Sequence, residues 1–210
     1  MEAHTMAAQS SMHAYLNWTK QRLDEMDATL ASLEAKASEV KADSKVKADQ
    51  LIAEMKKQRD VFQTKAKAQA RAGEAALQAG KAQLETQWRG FETQLAAYFD
   101  AVGKQAEQHQ ATFRDAVAAQ LKAWHAAADA FSSEAGKLAT ARRADLDAAL
   151  KQMKADAGAA EAHLQKLKQA GSETWSSLSA ALAQSRKAFD QANQKAGDAL
   201  KGAAESKTAA

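Results

Sequence analysis

Histidine and acidic side chains are the groups in this sequence that could bind a metal or transfer a proton. The five histidines are widely scattered. His125 and Asp129 have the four-residue spacing that shares a helix face, but two ligands without a third seldom hold a metal. Di-iron helical proteins need Glu-x-x-His pairs, whereas Glu107 and Glu161 precede the nearest histidines by two residues. The sequence therefore predicts no metal site.

Other catalytic patterns are missing as well. The chain has no cysteine to act as a thiol nucleophile. It contains no glycine-rich phosphate loop, no nucleotide fingerprint and no Gly-x-Ser-x-Gly elbow. Catalysis also requires polar groups that converge in a pocket, which thin helical bundles seldom form. We therefore predict a non-enzymatic protein without catalytic residues or cofactors.

The composition is typical of long helices. There is no proline, only nine residues are glycine, and alanine is abundant. Because proline costs about 3 kcal/mol in a helix interior, its absence permits helices well beyond the usual length. Aromatic residues make up 6% of the chain, so the core is expected to be thin and filled largely by alanine.

Apolar residues recur along the chain at helical spacing. One row is spaced by seven residues, Leu16, Leu23, Leu30 and Ala37, and a second lies three residues on, Thr19, Met26, Leu33 and Val40. These rows form the a/d seam of a coiled coil, and a helix with so narrow a stripe needs a partner helix to cover it. From Leu51 to Leu200 the stripe continues at a mean spacing of about 3.6 residues, with interruptions.

Chain length indicates that these helices fold back on one another. A single helix of 210 residues would extend roughly 315 Å. We predict an all-α fold in which long amphipathic helices form an elongated antiparallel coiled-coil bundle. The predicted helix–helix interface consists of leucine, methionine and aromatic residues of the stripe: Leu16, Leu23, Met26, Leu30, Leu33, Trp88, Phe91, Leu95, Trp175, Leu178 and Leu182.

Turns are signalled by glycine and small polar residues. The strongest signal is Gly171 followed by Ser172, because glycine favours the left-handed C-cap and serine is a good N-cap. Weaker signals lie at residues 102–104, 132–136 and 41–44. No proline supports any of them.

The predicted organisation is simple. We expect a flexible start over residues 1–11, one elongated helical coiled-coil domain over 12–203 and a flexible tail over 204–210. Segments 74–95 and 161–182 match at an offset of 87 residues. An alternative organisation of the domain is therefore two repeats, over about 12–102 and 103–203.

Charge is nearly balanced, with a formal net charge of +3. That balance argues against strong attraction to nucleic acid or to an anionic membrane. Basic residues exceed acidic ones between Lys41 and Arg71, which we interpret as a solvated helix face. Each tryptophan lies among mixed charges rather than in a basic groove, so no nucleic-acid partner is predicted.

Targeting signals are not recognisable in the sequence. No stretch approaches the roughly eighteen apolar residues of a membrane span. Residues 1–11 lack the basic and apolar regions of a signal peptide. We therefore predict a cytoplasmic protein without a transmembrane segment.

Two stretches carry a family resemblance. The first contains Tyr15-Leu-Asn-Trp18, Arg22-Leu-Asp-Glu-Met-Asp27 and Leu33-Glu-Ala-Lys-Ala37, and the second runs from Glu161 to Gly171 and on to Trp175. They resemble small, functionally uncharacterised bacterial coiled-coil proteins described as stress-related. The resemblance implies a helical fold and supplies no catalytic residues. This chain is about twice as long as those proteins, with an extra middle from Leu84 to Arg143.

A second resemblance implies a different role. The segments Trp88-Arg-Gly-Phe91, Trp124 to Phe131 and Trp175 to Phe189 are similar to phasins and apolipoprotein-like helical proteins, which coat hydrophobic surfaces. The main functional prediction is a structural protein that forms homo-oligomers or scaffolds coiled-coil partners. The alternative is a protein that reversibly coats lipid or polymer granules. A broad apolar face would favour the second function, and the stripe here is narrow.

Overall fold

The fold is known from a computed structural model, which describes residues 2–102, 106–138, 143–169 and 172–205 and most of their side chains. These residues form six α-helices and a short 3-10 turn, Ala37–Glu39. The helices are α1 (Glu2–Lys36), α2 (Ala42–Ala72), α3 (Glu74–Val102), α4 (Ala106–Ala135), α5 (Ala144–Leu167) and α6 (Ser172–Glu205). No strand occurs among the described residues. The prediction of an all-α helical bundle is confirmed.

Neighbouring helices form antiparallel hairpins. α2 packs along α3, where Gln58 lies beside Gly90 and Gln69 beside Gly80. Partner numbers thus rise in α2 as they fall in α3, which defines an antiparallel pair. α5 and α6 form a second antiparallel pair, because His163 lies beside Ser185 whereas the start of α5 lies along the end of α6. The predicted fold-back of long helices is therefore present in both hairpins.

The chain divides into two compact units. We call residues 1–21 and 121–210 the terminal unit, and residues 22–120 the central unit. In the terminal unit, the first part of α1 contacts α4 and α6, since Asn17 Nδ2 donates to the carbonyl of Ala127 (3.1 Å) and Ala14 adjoins Gly197. The described part of this unit is thus built from α1, α4, α5 and α6.

The central unit is built in the same manner from the end of α1, all of α2 and α3, and the start of α4. Asp27 of α1 pairs with Arg59 of α2 (2.6 Å), and Phe99 of α3 meets Phe113 of α4 with ring centroids 5.6 Å apart. The core of each unit is therefore enclosed by helices that are distant from one another in sequence.

The units do not follow the boundary near residue 102 suggested by the two-repeat alternative. The matched segments also differ in setting, because 74–95 lies within α3 whereas 161–182 runs from α5 into α6. α1 begins at Glu2, inside the start predicted to be flexible. Flexibility of either terminus and the presence of repeats stay predictions.

Most helix breaks fall where the sequence signals them. α2 begins at Ala42, α3 ends at Val102 and α4 ends at Ala135, beside the three weaker signals. α6 begins at Ser172, while Gly171 and the Ser172 side chain lie outside the described residues. The break between α2 and α3 was not predicted. It is made by Gly73 alone, at φ 87° and ψ −176°, a conformation essentially confined to glycine.

Gly73→Ala is expected to lower the free energy of unfolding of the central unit by about 1–3 kcal/mol. A Cβ there would meet no atom within 4 Å, so the cost is the backbone conformation and not a clash. The matched control is Gly158→Ala in α5, which also meets nothing within 4 Å but has no positive φ. Alanine there should stabilise by about 0.5–1 kcal/mol. Urea unfolding followed by circular dichroism measures both, and equal effects of the same sign would contradict the prediction.

Candidate interaction surfaces

The predicted interface residues of the central unit lie mostly in its interior. Met26, Leu33 and Phe91 are completely buried. Leu30 and Trp88 are also buried, and Leu23 and Leu95 are half-buried. In the central unit, other helices of the same chain therefore cover the predicted stripe.

In the terminal unit, some of the predicted interface residues are buried and others are exposed. Leu182 is buried and Leu178 half-buried, whereas the Trp175 side chain lies outside the described residues. Leu16 is 47% exposed, so it does not belong to the core of this unit. A two-stranded seam needs one narrow stripe, but α1 contacts several helices here, and its buried surface runs through Tyr15 and Trp18 instead.

Buried polar side chains on α1 were not anticipated. In the terminal unit, Asn17 bonds α4 as described above, and Gln21 accepts a hydrogen bond from Asn193 of α6. In the central unit, Gln120 Nε2 of α4 donates to Thr29 Oγ1 at 2.9 Å. Because burying such groups without partners is costly, these bonds favour one alignment of each helix pair. Nothing in the heptad pattern distinguishes these residues from solvent-facing polar ones.

A buried charge cluster lies in the central unit. Glu25 is completely buried, and its Oε1 is 3.5 Å from a terminal nitrogen of Arg22. The Arg22 guanidinium lies 4.5 Å from the centre of the Trp88 ring, which stacks on Phe91. Trp88 therefore packs in the interior and covers a cation.

The terminal unit contains a comparable aromatic pair. Trp124 of α4 and Phe189 of α6 stack with centroids 4.7 Å apart and planes 14° from parallel. Arg186 lies 6.0 Å from the centre of the Trp124 ring. Trp88 and Trp124 lie in the segments that are similar to surface-coating proteins. Both rings thus pack against side chains of this same chain.

The histidines considered for metal binding contact single side chains of other helices. His125 Nε2 is 2.8 Å from Glu161 Oε1 across α4 and α5, rather than forming a site with Asp129. His163 contacts Ser185 of α6. Within the described residues, no three histidine or acidic side chains come together in an arrangement that could hold a metal ion.

Outward-facing large apolar residues are few. In the part of the chain that the structure describes they are Leu16, Val46 and Val61, of which Val46 and Val61 share helix α2. An open groove also lies between the start of α5 and the end of α6, lined by alanine together with polar and charged side chains. The outward surface of the described residues is therefore formed mostly by polar and small side chains.

The two tyrosines report on the two units separately, because Tyr15 belongs to the terminal unit and Tyr98 to the central unit. Burial raises the pKa of Tyr15 to about 12. Burial, with the charge of Asp49, also raises the pKa of Tyr98. In the unfolded chain both phenols ionise near pH 10.

Since the folded form retains its proton, the stability associated with Tyr15 is present below pH 10 and is lost as pH rises towards about 12. We expect a loss on the order of 2 kcal/mol over that interval. Phenolate absorbance of the folded protein should rise at higher pH than that of a guanidinium-unfolded control, with Tyr15 ionising towards pH 12. Normal titration of Tyr15 in a Tyr98→Phe variant that remains helical would contradict this prediction.

Comparison with known proteins provides no relative. No family model, curated protein or solved structure matches the chain. No described helix combines the length and apolar character needed to cross a bilayer.

Proposed function

We propose that this chain is a non-enzymatic structural protein that binds other helical chains, including second copies of itself, through the outer faces of its helices. The observation that carries the proposal is that the predicted apolar stripes are buried inside the two units. Met26, Phe91 and Phe189 are completely buried there. Since those side chains hold the units together, partners would meet the remaining polar and alanine-rich faces.

Two leucines of one heptad row make a sharp test of self-association. Leu16 is 47% exposed, whereas Leu23 is half-buried. If the row binds a second copy, Leu16→Asp should lower the mass measured by size-exclusion chromatography with light scattering and leave helicity intact. Leu23→Asp, in contrast, should lower helicity or stability because its charge enters the core.

The expected mass of a self-associating wild type is a multiple of 22.4 kDa that decreases on dilution. A single-chain mass at every concentration, unaffected by Leu16→Asp, would contradict self-association. Scaffolding of other proteins would then be tested by capturing a helical partner on the folded protein.

The second candidate function is the reversible coating of lipid or polymer granules. It is supported by the aromatic residues in the cores, together with buried polar groups such as Glu25 and Asn193. Opening the units would return these polar groups to water while apolar stripes meet the hydrophobic surface. This function requires the helices to separate, whereas partner binding does not.

A disulfide can separate the two functions. A Cβ added at Gly197 would lie 3.3 Å from that of Ala14, near the typical Cβ separation of about 3.8 Å in disulfides. The double variant Ala14→Cys, Gly197→Cys would therefore link α1 to α6 when oxidised. Coating predicts that oxidation decreases flotation with neutral oil droplets and that reduction restores it. Equal flotation in both states would argue against opening of the terminal unit.

A further inference from the structure

Helix α2 presents an unusual outer face. Its inner side, through Leu51, Met55 and Phe62, is buried in the central unit. The opposite side carries Val46, 68% exposed, and Val61, 36% exposed. Exposed small residues continue the same stripe at Ala53, Thr64 and Ala68. We call Val46, Ala53, Val61, Thr64, Ala68 and the basic residues beside them the outer face of α2.

The basic residues of this face are mostly unpaired. Lys47, Lys57, Lys65, Lys67 and Arg71 have no carboxylate within ion-pair distance among the described residues. The acidic residues Asp49 and Asp60 are already paired, with Lys45 and Arg59 respectively. Asp43 and Glu54 are the acidic groups of α2 that the described ion pairs do not include. The face thus combines net positive charge with exposed valines.

The length of α2 and the charge of its outer face indicate which kind of surface this face can bind. The 31 residues of α2 form one uninterrupted helix about 46 Å long, and cations lie on both sides of the apolar stripe. Lysine side chains so placed can lay their methylene stems on an apolar boundary and direct their ammonium groups to anionic headgroups. The only aromatic residue of α2, Phe62, is completely buried, so stacking on nucleic-acid bases is not provided by this helix.

We propose that the outer face of α2 binds the surface of anionic lipid bilayers while the central unit remains folded. The ligand chemistry is a dense array of headgroup phosphates and carboxylates beside an apolar boundary. This inference does not depend on either function proposed above. Coating requires the helices of a unit to separate but does not require anionic headgroups. Binding through the outer face of α2 requires anionic headgroups, and the central unit stays folded.

The test is cosedimentation with phosphatidylcholine vesicles that contain either no phosphatidylserine or about one third of it. The wild type should bind the anionic vesicles only, and added salt should weaken binding. Lys47→Gln, Lys57→Gln, Lys67→Gln should lower the partition coefficient on the order of 100-fold, because each cation near the surface contributes. Helicity and tryptophan emission should stay unchanged, since the unit remains closed.

A matched control has the same net charge as the α2 triple variant. Lys151→Gln, Lys154→Gln, Lys166→Gln removes three exposed cations from α5, and this variant should bind like the wild type. Equal losses in the two triple variants would overturn the assignment to α2, as would absence of wild-type binding to anionic vesicles. Equal binding to neutral vesicles with a tryptophan blue shift would also overturn it and would support coating.

The valines distinguish a bilayer from a soluble polyanion or an acidic protein. Val46→Ser, Val61→Ser should lower vesicle partitioning about tenfold by removing apolar contact. Binding to heparin, which offers charge alone, should not change. If the valine variant binds vesicles as well as the wild type does, while Lys47→Gln, Lys57→Gln, Lys67→Gln lowers binding to heparin as well as to vesicles, the face binds anions in general and the lipid proposal is wrong.

Discussion

Phe189→Ala is expected to lower the free energy of unfolding of the terminal unit by about 3–5 kcal/mol. The side chain is completely buried and stacks on Trp124 of α4 at 4.7 Å. Its removal would leave a cavity between α4 and α6 and would expose one face of the indole ring. Since small domains are stable by only about 5–15 kcal/mol, this is a large fraction of the total. Guanidinium unfolding monitored by circular dichroism measures the loss.

Phe189→Leu serves as the control, because leucine keeps most of the apolar volume and loses only the stacking. Its cost should be smaller, about 0.5–1.5 kcal/mol from the aromatic pair plus a modest repacking cost. Emission of Trp124 should shift to longer wavelength in the alanine variant more than in the leucine variant. Near-equal stability of the wild type and Phe189→Ala would show that α6 does not pack on α4 in this way.

Glu25→Ala should destabilise the central unit by a similar amount, about 3–5 kcal/mol. Glu25 is completely buried beside Arg22, which is itself 6% exposed. Truncation of the carboxylate would leave the Arg22 cation in the core without its 3.5 Å partner. Removing one partner of a buried ion pair is more costly than removing both.

The double variant Arg22→Met, Glu25→Leu separates the cost of losing one partner from the contribution of the pair. Both charges are then removed, and methionine can still contact the Trp88 ring. We expect this variant to be as stable as the wild type or more so. Thermal unfolding of the single and double variants provides the comparison, and a double variant less stable than Glu25→Ala would mean that the pair itself stabilises the fold.

Buried polar contacts also bear on how an alanine-rich bundle selects one alignment. Alanine seams pack almost equally well after a slip of one turn, since each methyl group resembles the next. The bond between Gln120 and Thr29 exists in one alignment only. The same holds for the bond between Asn193 and Gln21. We expect these contacts to restrict slippage more than they raise stability.

Helix content and most helix ends could be read from the sequence. Without proline and with abundant alanine, the chain had few alternatives to long helices, and polar or glycine-containing segments ended them near residues 41, 102 and 136. These features are local, since propensity and capping act over a few residues. Gly73 escaped prediction because glycines also occur inside helices here, as at Gly90 and Gly158, and local sequence does not separate the two uses.

The assignment of each face required the packed fold. The row of Leu16 and Leu23 is uniform in sequence, yet Leu16 is 47% exposed. Glu25 resembles a surface charge in sequence and is completely buried. Such differences arise from helices far apart in the chain, which determine how many sides of α1 are covered. Periodicity specifies that a stripe must be buried, but partner geometry specifies which residues are buried and leaves the outer face of α2 open to solvent.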